Sequence, residues 1–178
     1  MRARPTPLAA VVLAALLSAC AQMQPPAGGA TATAQLKPTT GNSAAGTVQF
    51  EQEGNKVVVS AMITGLKPNS EHGFHVHEKG DCSAADATSA GGHFNPGGKP
   101  HGQYDKGERH AGDMPNLRAD ASGVTRVMWE TDELSVGSGA NSVVGRSVVI
   151  HRDPDDFKSQ PAGNSGPRIA CGVIAAGK

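Results

Sequence analysis

The chain has 178 residues, 16 basic and 16 acidic side chains and a formal net charge of zero. With no run of Lys or Arg, that balance excludes a broadly basic nucleic-acid binder. One Trp, one Tyr and four Phe leave Val, Ile, Leu, Met and Ala to build the core of a chain that is one domain's worth of sequence.

Arg2 and Arg4 precede an apolar run, Leu8 to Leu17, too short to cross a bilayer as a stable helix. It reads as an export signal over residues 1–19. The segment ends Leu17-Ser18-Ala19-Cys20, which resembles the bacterial lipoprotein processing site, where the cysteine becomes the lipidated first residue. The plainer alternative is a signal cleaved a little later, with Cys20 incidental. Setting Cys20 aside leaves Cys82 and Cys171, an even pair that an oxidising compartment lets persist as a bridge. Residues 20–30, rich in Ala, Gln, Pro and Gly, have no apolar periodicity and form a flexible tether to a domain over 31–178.

From Ala32 onward the pattern alternates. Strands are expected at Ala32 to Lys37, Gly46 to Glu53, Val57 to Thr64, Phe74 to His77, Val124 to Glu130, Val143 to His151 and Ile169 to Ile174, divided by Gly-, Asn-, Asp- and Pro-containing turns. No window after residue 20 has a 3.6-residue apolar period. The fold class is therefore all-β, a Greek-key sandwich or flattened barrel of about eight antiparallel strands. Trp129 is assigned to neither core nor surface. Two stretches, 83–114 and 152–167, carry no strand pattern. Loops of that length in a compact domain are functional or tied down.

Three of the seven histidines fall within 72-HGFHVH-77. His75 and His77 are two apart on an expected strand, so both rings leave the same face and reach one ion. His72 lies on the opposite face and is expected to bond backbone. His151 closes another apolar run, and His93, His101 and His110 sit in the first long loop, with Asp113 three after His110. Three histidines and a carboxylate are a common tetrahedral zinc set. Six histidines and one aspartate give seven ligands where two four-coordinate sites need eight; one imidazole shared through both ring nitrogens closes the gap. A scatter of surface histidines is the bland alternative, and the i,i+2 pair with the His-x-x-Asp spacing argues against it. Other chemistries fail. Gly137-Ser138-Gly139 has Ser142 where a dinucleotide motif needs its third glycine, and no G-x-S-x-G elbow exists.

The segments 73-GFHVHEKGDC-82, 91-GGHFNP-96, His101, 109-RHAGD-113, 145-GRSVVIH-151 and 167-PRIACGVI-174 resemble, in order and spacing, the bacterial periplasmic copper/zinc superoxide dismutases. That resemblance implies dismutation of superoxide to oxygen and hydrogen peroxide in the cell envelope, with one copper and one zinc per subunit. It implies copper at His75, His77, His93 and His151 and zinc at His93, His101, His110 and Asp113, with His93 bridging. It also implies a Cys82–Cys171 disulfide, Asp155 linking His75 to His101, and catalytic roles for His93 and Arg168. Locally, Asp155 is a loop carboxylate no different from Asp156, and the plain alternative for Arg168 is a solvated or ion-paired arginine, the usual fate of one. The pattern departs from eukaryotic relatives in the short spacing from His77 to Cys82 and in the shorter 152–167 loop. Neither their guiding charges nor their dimer surface transfers. Lys158 is a candidate guide, and monomer and homodimer both stay open. Superoxide is the expected partner, nucleic acid is not, and membrane contact is expected only through the lipid anchor. The rival is a non-catalytic periplasmic copper- or zinc-buffering protein on the same sandwich, which needs neither Arg168 nor a shared ligand.

Overall fold

The computed structural model describes residues 29–177 together with Met1. The export signal, Cys20 and the tether before Gly29 lie outside the described residues. Nine strands follow in chain order: β1 (Thr31–Pro38), β2 (Ala45–Glu53), β3 (Lys56–Thr64), β4 (Glu71–His72), β5 (Phe74–His77), β6 (Leu117–Arg118), β7 (Thr125–Thr131), β8 (Ser147–His151) and β9 (Arg168–Ala176). Among the described residues there is one short 3-10 turn, Thr88–Ala90, and no α-helix. Seven strands make one antiparallel sheet in the order β5-β8-β9-β1-β2-β3-β7, and β4 pairs with β6.

Alternation gives this curled sheet one apolar face, which packs into the main core. On β3, Val57, Val59, Ala61 and Ile63 are buried, while Lys56, Met62 and Thr64 are exposed. Register sets Val59 opposite Phe50 and Ala61 opposite Val48, so apolar faces meet across neighbouring strands. Trp129, left unassigned by sequence, is half-buried and packs edge-on to Phe74 at 5.8 Å between ring centroids.

β5 and β8 differ from the others, being buried on both faces. Phe74, Val76, Val148 and Ile150 point into the core. The opposite face carries His75, His77, Val149 and His151, covered by the two long loops; Val149 packs there with Cys171, Ala87 and Ala90. The disulfide is formed: Cys82 and Cys171 are joined at 2.00 Å, closing a sequence separation of 89.

One strand boundary departs from the sequence reading. The run from Val143 is apolar, yet β8 begins only at Ser147. Gly145 takes φ 78° and the Arg146 N–H bonds the Val143 carbonyl at 3.0 Å, so the chain turns before it enters the sheet. Val143 is buried all the same, which is why its apolarity misleads.

Candidate metal centre

β5 sets His75 and His77 on one face, and its pairing with β8 places His75 opposite Val149 and His77 opposite Ser147. A register shift between Ile150 and His151 turns the last residue of β8 toward them. The His77 and His151 Nε2 atoms lie 3.4 Å apart. His93 joins from the loop through an isolated bridge to His77, its ring stacked on that of His75 at 3.9 Å.

Hydrogen bonds fix which nitrogen of each ring is free. His77 donates from Nδ1 to the Gly91 carbonyl and His151 from Nδ1 to the Gly166 carbonyl, both at 3.0 Å. His75 donates from Nε2 to Asp155 Oδ2 at 2.7 Å. The second nitrogen of each ring therefore keeps its lone pair and faces the common space.

The second group comes wholly from the loop between β5 and β6. Nδ1 of His93, His101 and His110 lie 2.9, 3.0 and 3.5 Å from Asp113 Oδ1. Asp113 is itself oriented by the N–H groups of Gly102 and His110, which bond Oδ2 at 3.1 and 2.9 Å. His101 donates from Nε2 to Asp155 Oδ1 at 3.0 Å. Asp155 thus holds one histidine of each group, with its side chain fully buried. Gly163, at φ 63°, lies against this contact; a Cβ there would collide with Asp155 Oδ1 and lie 2.8 Å from His101 Nε2.

The donor atoms of His75, His77, His93 and His151 all lie within 4.8 Å of one another, as do those of His93, His101, His110 and Asp113. Nδ1 of His75, His101 and His110 and Nε2 of His93 are buried without a hydrogen-bond partner. Buried nitrogens converging in this way cost free energy unless something takes their lone pairs, so the residues fit two cations. Four imidazoles suit copper, and three imidazoles with a carboxylate suit zinc. His93 alone belongs to both groups, and its ring has no partner but Asp113.

Burial dominates the electrostatics of the first group. It pushes the His75 imidazole down to about 3 and His151 to about 4, with the neighbouring His93 adding to both shifts. His77 is lowered by the same burial. In the second group burial also acts to lower His101, but Asp113 and Asp155 outweigh it and raise the ring to about 9. Burial opposes ionisation of Asp113 and Asp155 as well, and their histidine partners hold both carboxyls well below the usual range.

Arg168, the first residue of β9, is half-buried and makes no ion pair among the described residues. It donates from Nη1 to the Ala87 carbonyl and from Nη2 to the Gly91 carbonyl, each at 2.6 Å. The Gly91 carbonyl thus serves both Arg168 and His77. Its backbone, at φ 75°, is one that only glycine takes readily, and a Cβ there would collide with the Glu78 carboxylate. Carbonyls orient a guanidinium without neutralising it, and its charge helps lower His77 and His151. A pocket of about 180 Å³ opens beside His151, lined by Gln160 and Asn164 among others.

His72 stays outside both groups, bonding the His151 carbonyl through Nδ1 at 2.9 Å. Lys158 is exposed on the 152–167 loop. Sequence reasoning missed Asn116 and Gln160, whose side-chain amides grip the main chain of Asp155 and His101. Nothing in the local pattern of either residue marks it.

A curled antiparallel β-sheet whose loops bring two adjoining four-donor groups together around one shared imidazole is the scaffold of a dinuclear metalloprotein. Residues 44–174 match the family described as copper/zinc superoxide dismutase. The chain is 43% identical over 133 residues to superoxide dismutase (Cu-Zn) 2 of Aquifex aeolicus, covering 72% of this chain and 78% of that one. It is 49% identical over 137 residues to superoxide dismutase (Cu-Zn) of Yarrowia lipolytica, covering 72% and 88%. Among solved structures, the clock protein EA4 superposes with a TM-score of 0.74 at 41% identity, covering 82% of this chain and 93% of that one. A double mutant of a superoxide-dismutase-like protein from Bacillus subtilis superposes with a TM-score of 0.72 at 36% identity, covering 80% and 96%. The chain belongs to the copper/zinc superoxide dismutase family.

Proposed function

We infer that this protein converts two superoxide ions and two protons into oxygen and hydrogen peroxide, with copper at His75, His77, His93 and His151 and zinc at His93, His101, His110 and Asp113. The observation that carries the reading is His93, whose two ring nitrogens face two separate donor groups within one buried cluster. Copper, when bound, supplies a one-electron couple, and zinc supplies a fixed divalent charge without redox chemistry.

The residues account for the rest. Arg168, oriented by two carbonyls, one of them shared with His77, and left with its charge, attracts the small anion to the four-imidazole group and favours departure of peroxide in protonated form. His93 holds a proton at Nε2 during half of the cycle and gives it up in the other half, while its Nδ1 side stays fixed. Asp155 anchors the rings of His75 and His101 so that neither group shifts as charge moves between them.

The same reading places the protein outside the cytoplasm, where it removes superoxide from the cell envelope. The Cys82–Cys171 bridge supports an oxidising compartment. The apolar run ending in Leu17-Ser18-Ala19-Cys20 supports export with a lipid on Cys20, and mass spectrometry of the native N-terminus tests it. Monomer and homodimer are separated by sedimentation of the mature protein.

The central test is metal analysis together with superoxide removal by the loaded protein, with His151→Ala as control. Turnover that disappears in the variant supports the enzyme. Stoichiometric metal uptake without turnover would instead make the protein a metal buffer.

A further inference from the structure

The contact between Asp155 and His101 joins two loops, and each loop grips the other's main chain at that point. Asn116, at the end of the first loop, donates from its amide to the Asp155 carbonyl at 3.0 Å and accepts from the Asp155 N–H at 2.9 Å. Gln160, in the 152–167 loop, does the same in return. Its Oε1 accepts from the His101 N–H at 2.9 Å and its Nε2 donates to the His101 carbonyl at 2.9 Å. A primary carboxamide carries one donor edge and one acceptor edge, the pairing that a neighbouring strand would offer a peptide. Each amide therefore does for one residue what a sheet does for many.

The consequence for His101 is specific. This ring sits in an irregular loop with no ladder on either side, yet its Nδ1 must point at Asp113 and its Nε2 at Asp155. The side-chain contacts fix the ring plane, and Gln160 fixes the backbone from which the ring projects. We propose that Gln160 is a positioning residue for the zinc ligand His101, its carboxamide acting as a two-pronged clamp that sets how tightly zinc is retained. This rests on the assignment of zinc to His93, His101, His110 and Asp113. Gln160 also lines the pocket beside His151, so the clamp ties the wall of that pocket to the zinc group.

The donor prong separates this role from simple electrostatics. A glutamate at position 160 adds a negative charge near a divalent cation, which charge alone says should hold zinc more tightly. It also sets a carboxylate oxygen against the His101 carbonyl, two acceptors with no proton between them, which the clamp says should loosen it. The experiment loads the parent, Gln160→Ala, Gln160→Glu and Lys158→Ala proteins with zinc and follows release to a chelator. Amide hydrogen exchange at His101 is read in the metal-free proteins, and the ligand-field spectrum is read with cobalt(II) in the zinc position.

Both Gln160 variants are expected to release zinc about 10-fold faster than the parent, within the range seen when groups supporting a ligand are removed. The His101 N–H should lose exchange protection in Gln160→Ala, and the cobalt spectrum should shift in both Gln160 variants. Lys158→Ala should behave as the parent. Zinc release at the parental rate from Gln160→Ala, or slower release from Gln160→Glu than from the parent, overturns the clamp. A parent that takes up no zinc at all overturns instead the metal assignment, and protection at the His101 amide still reports on the clamp by itself.

Discussion

The two halves of the histidine cluster come from different kinds of chain. His75, His77 and His151 stand on β5 and β8, whose opposite face is packed into the core, so their spacing is set by sheet geometry before any ion binds. His101, His110 and Asp113 all belong to one loop, held by carboxylates, backbone N–H groups and side-chain amides. The strand half is a rack, and the loop half is a net. A redox ion gains from fixed ligands, since its geometry must serve two charges. An ion whose service is charge and order can be held by a loop that it helps to organise.

The sharpest way to break this division is at the one residue that both halves share. His93→Ala should weaken both groups, and with at least about 100-fold lost at each site the combined fall in metal affinity is about 10⁴-fold. Separate copper and zinc titrations check it; a variant that loses only one metal would show that the ring serves one half alone.

Removing a ligand from a single half should separate rack from net. His77→Ala is expected to lose copper affinity by at least about 100-fold while the loop keeps its zinc and its amide protection. His110→Ala should lose zinc by a similar factor and leave the loop exchanging faster. Hydrogen exchange over residues 95–113 distinguishes the two, and equal loosening in both variants would refute the distinction.

Asp155 stitches the halves together, so Asp155→Asn should be felt by both, at about 10–100-fold in affinity. Isothermal titration with each metal reads it. A deficit confined to zinc would mean that the 2.7 Å contact to His75 carries no constraint.

The last test is pH. In the metal-free protein His75 and His151 titrate at about 3 and about 4, below the ordinary histidine value of about 6.5. Between pH 6.5 and 4 the unfolded chain binds protons that the folded strand half refuses, so stability falls as pH drops through this window. His101 behaves oppositely. Raised to about 9, its contribution is fully present below pH 6.5 and is lost as pH rises toward 9. Each uncompensated proton changes stability by about 1.4 kcal/mol per pH unit. Urea midpoints of the metal-free protein should therefore peak near pH 6.5, and His101→Gln should flatten only the alkaline side.

The strand half was also the more legible one. A period of two put His75 and His77 on one face without further information, and alternation located β1, β2, β3 and β7 to within a residue or two. It failed at Val143, where an apolar residue is buried by a turn and not by a strand. In the loop half residue type and the His-x-x-Asp spacing suggested a zinc set, but which imidazole is shared came from family resemblance, because no period relates His93, His101 and His110. Asp155 and Asp156 show the limit most clearly. Asp156 is exposed, its carboxyl lowered to about 2 by bonds from Ser159 and Lys158, and it organises a turn. Its neighbour is buried between two imidazoles.

The sequence by itself determined the class of fold, the inventory of metal-binding groups and the pair on β5, because side-chain chemistry and strand alternation are local properties. The tertiary structure alone decided which aspartate was taken out of water, which nitrogen of each ring was left free, and that two unremarkable amides would pair with main chain from another loop. Those choices depend on desolvation and on hydrogen-bond partners supplied by segments dozens of residues away, and a chain acquires both only when its loops close over the sheet.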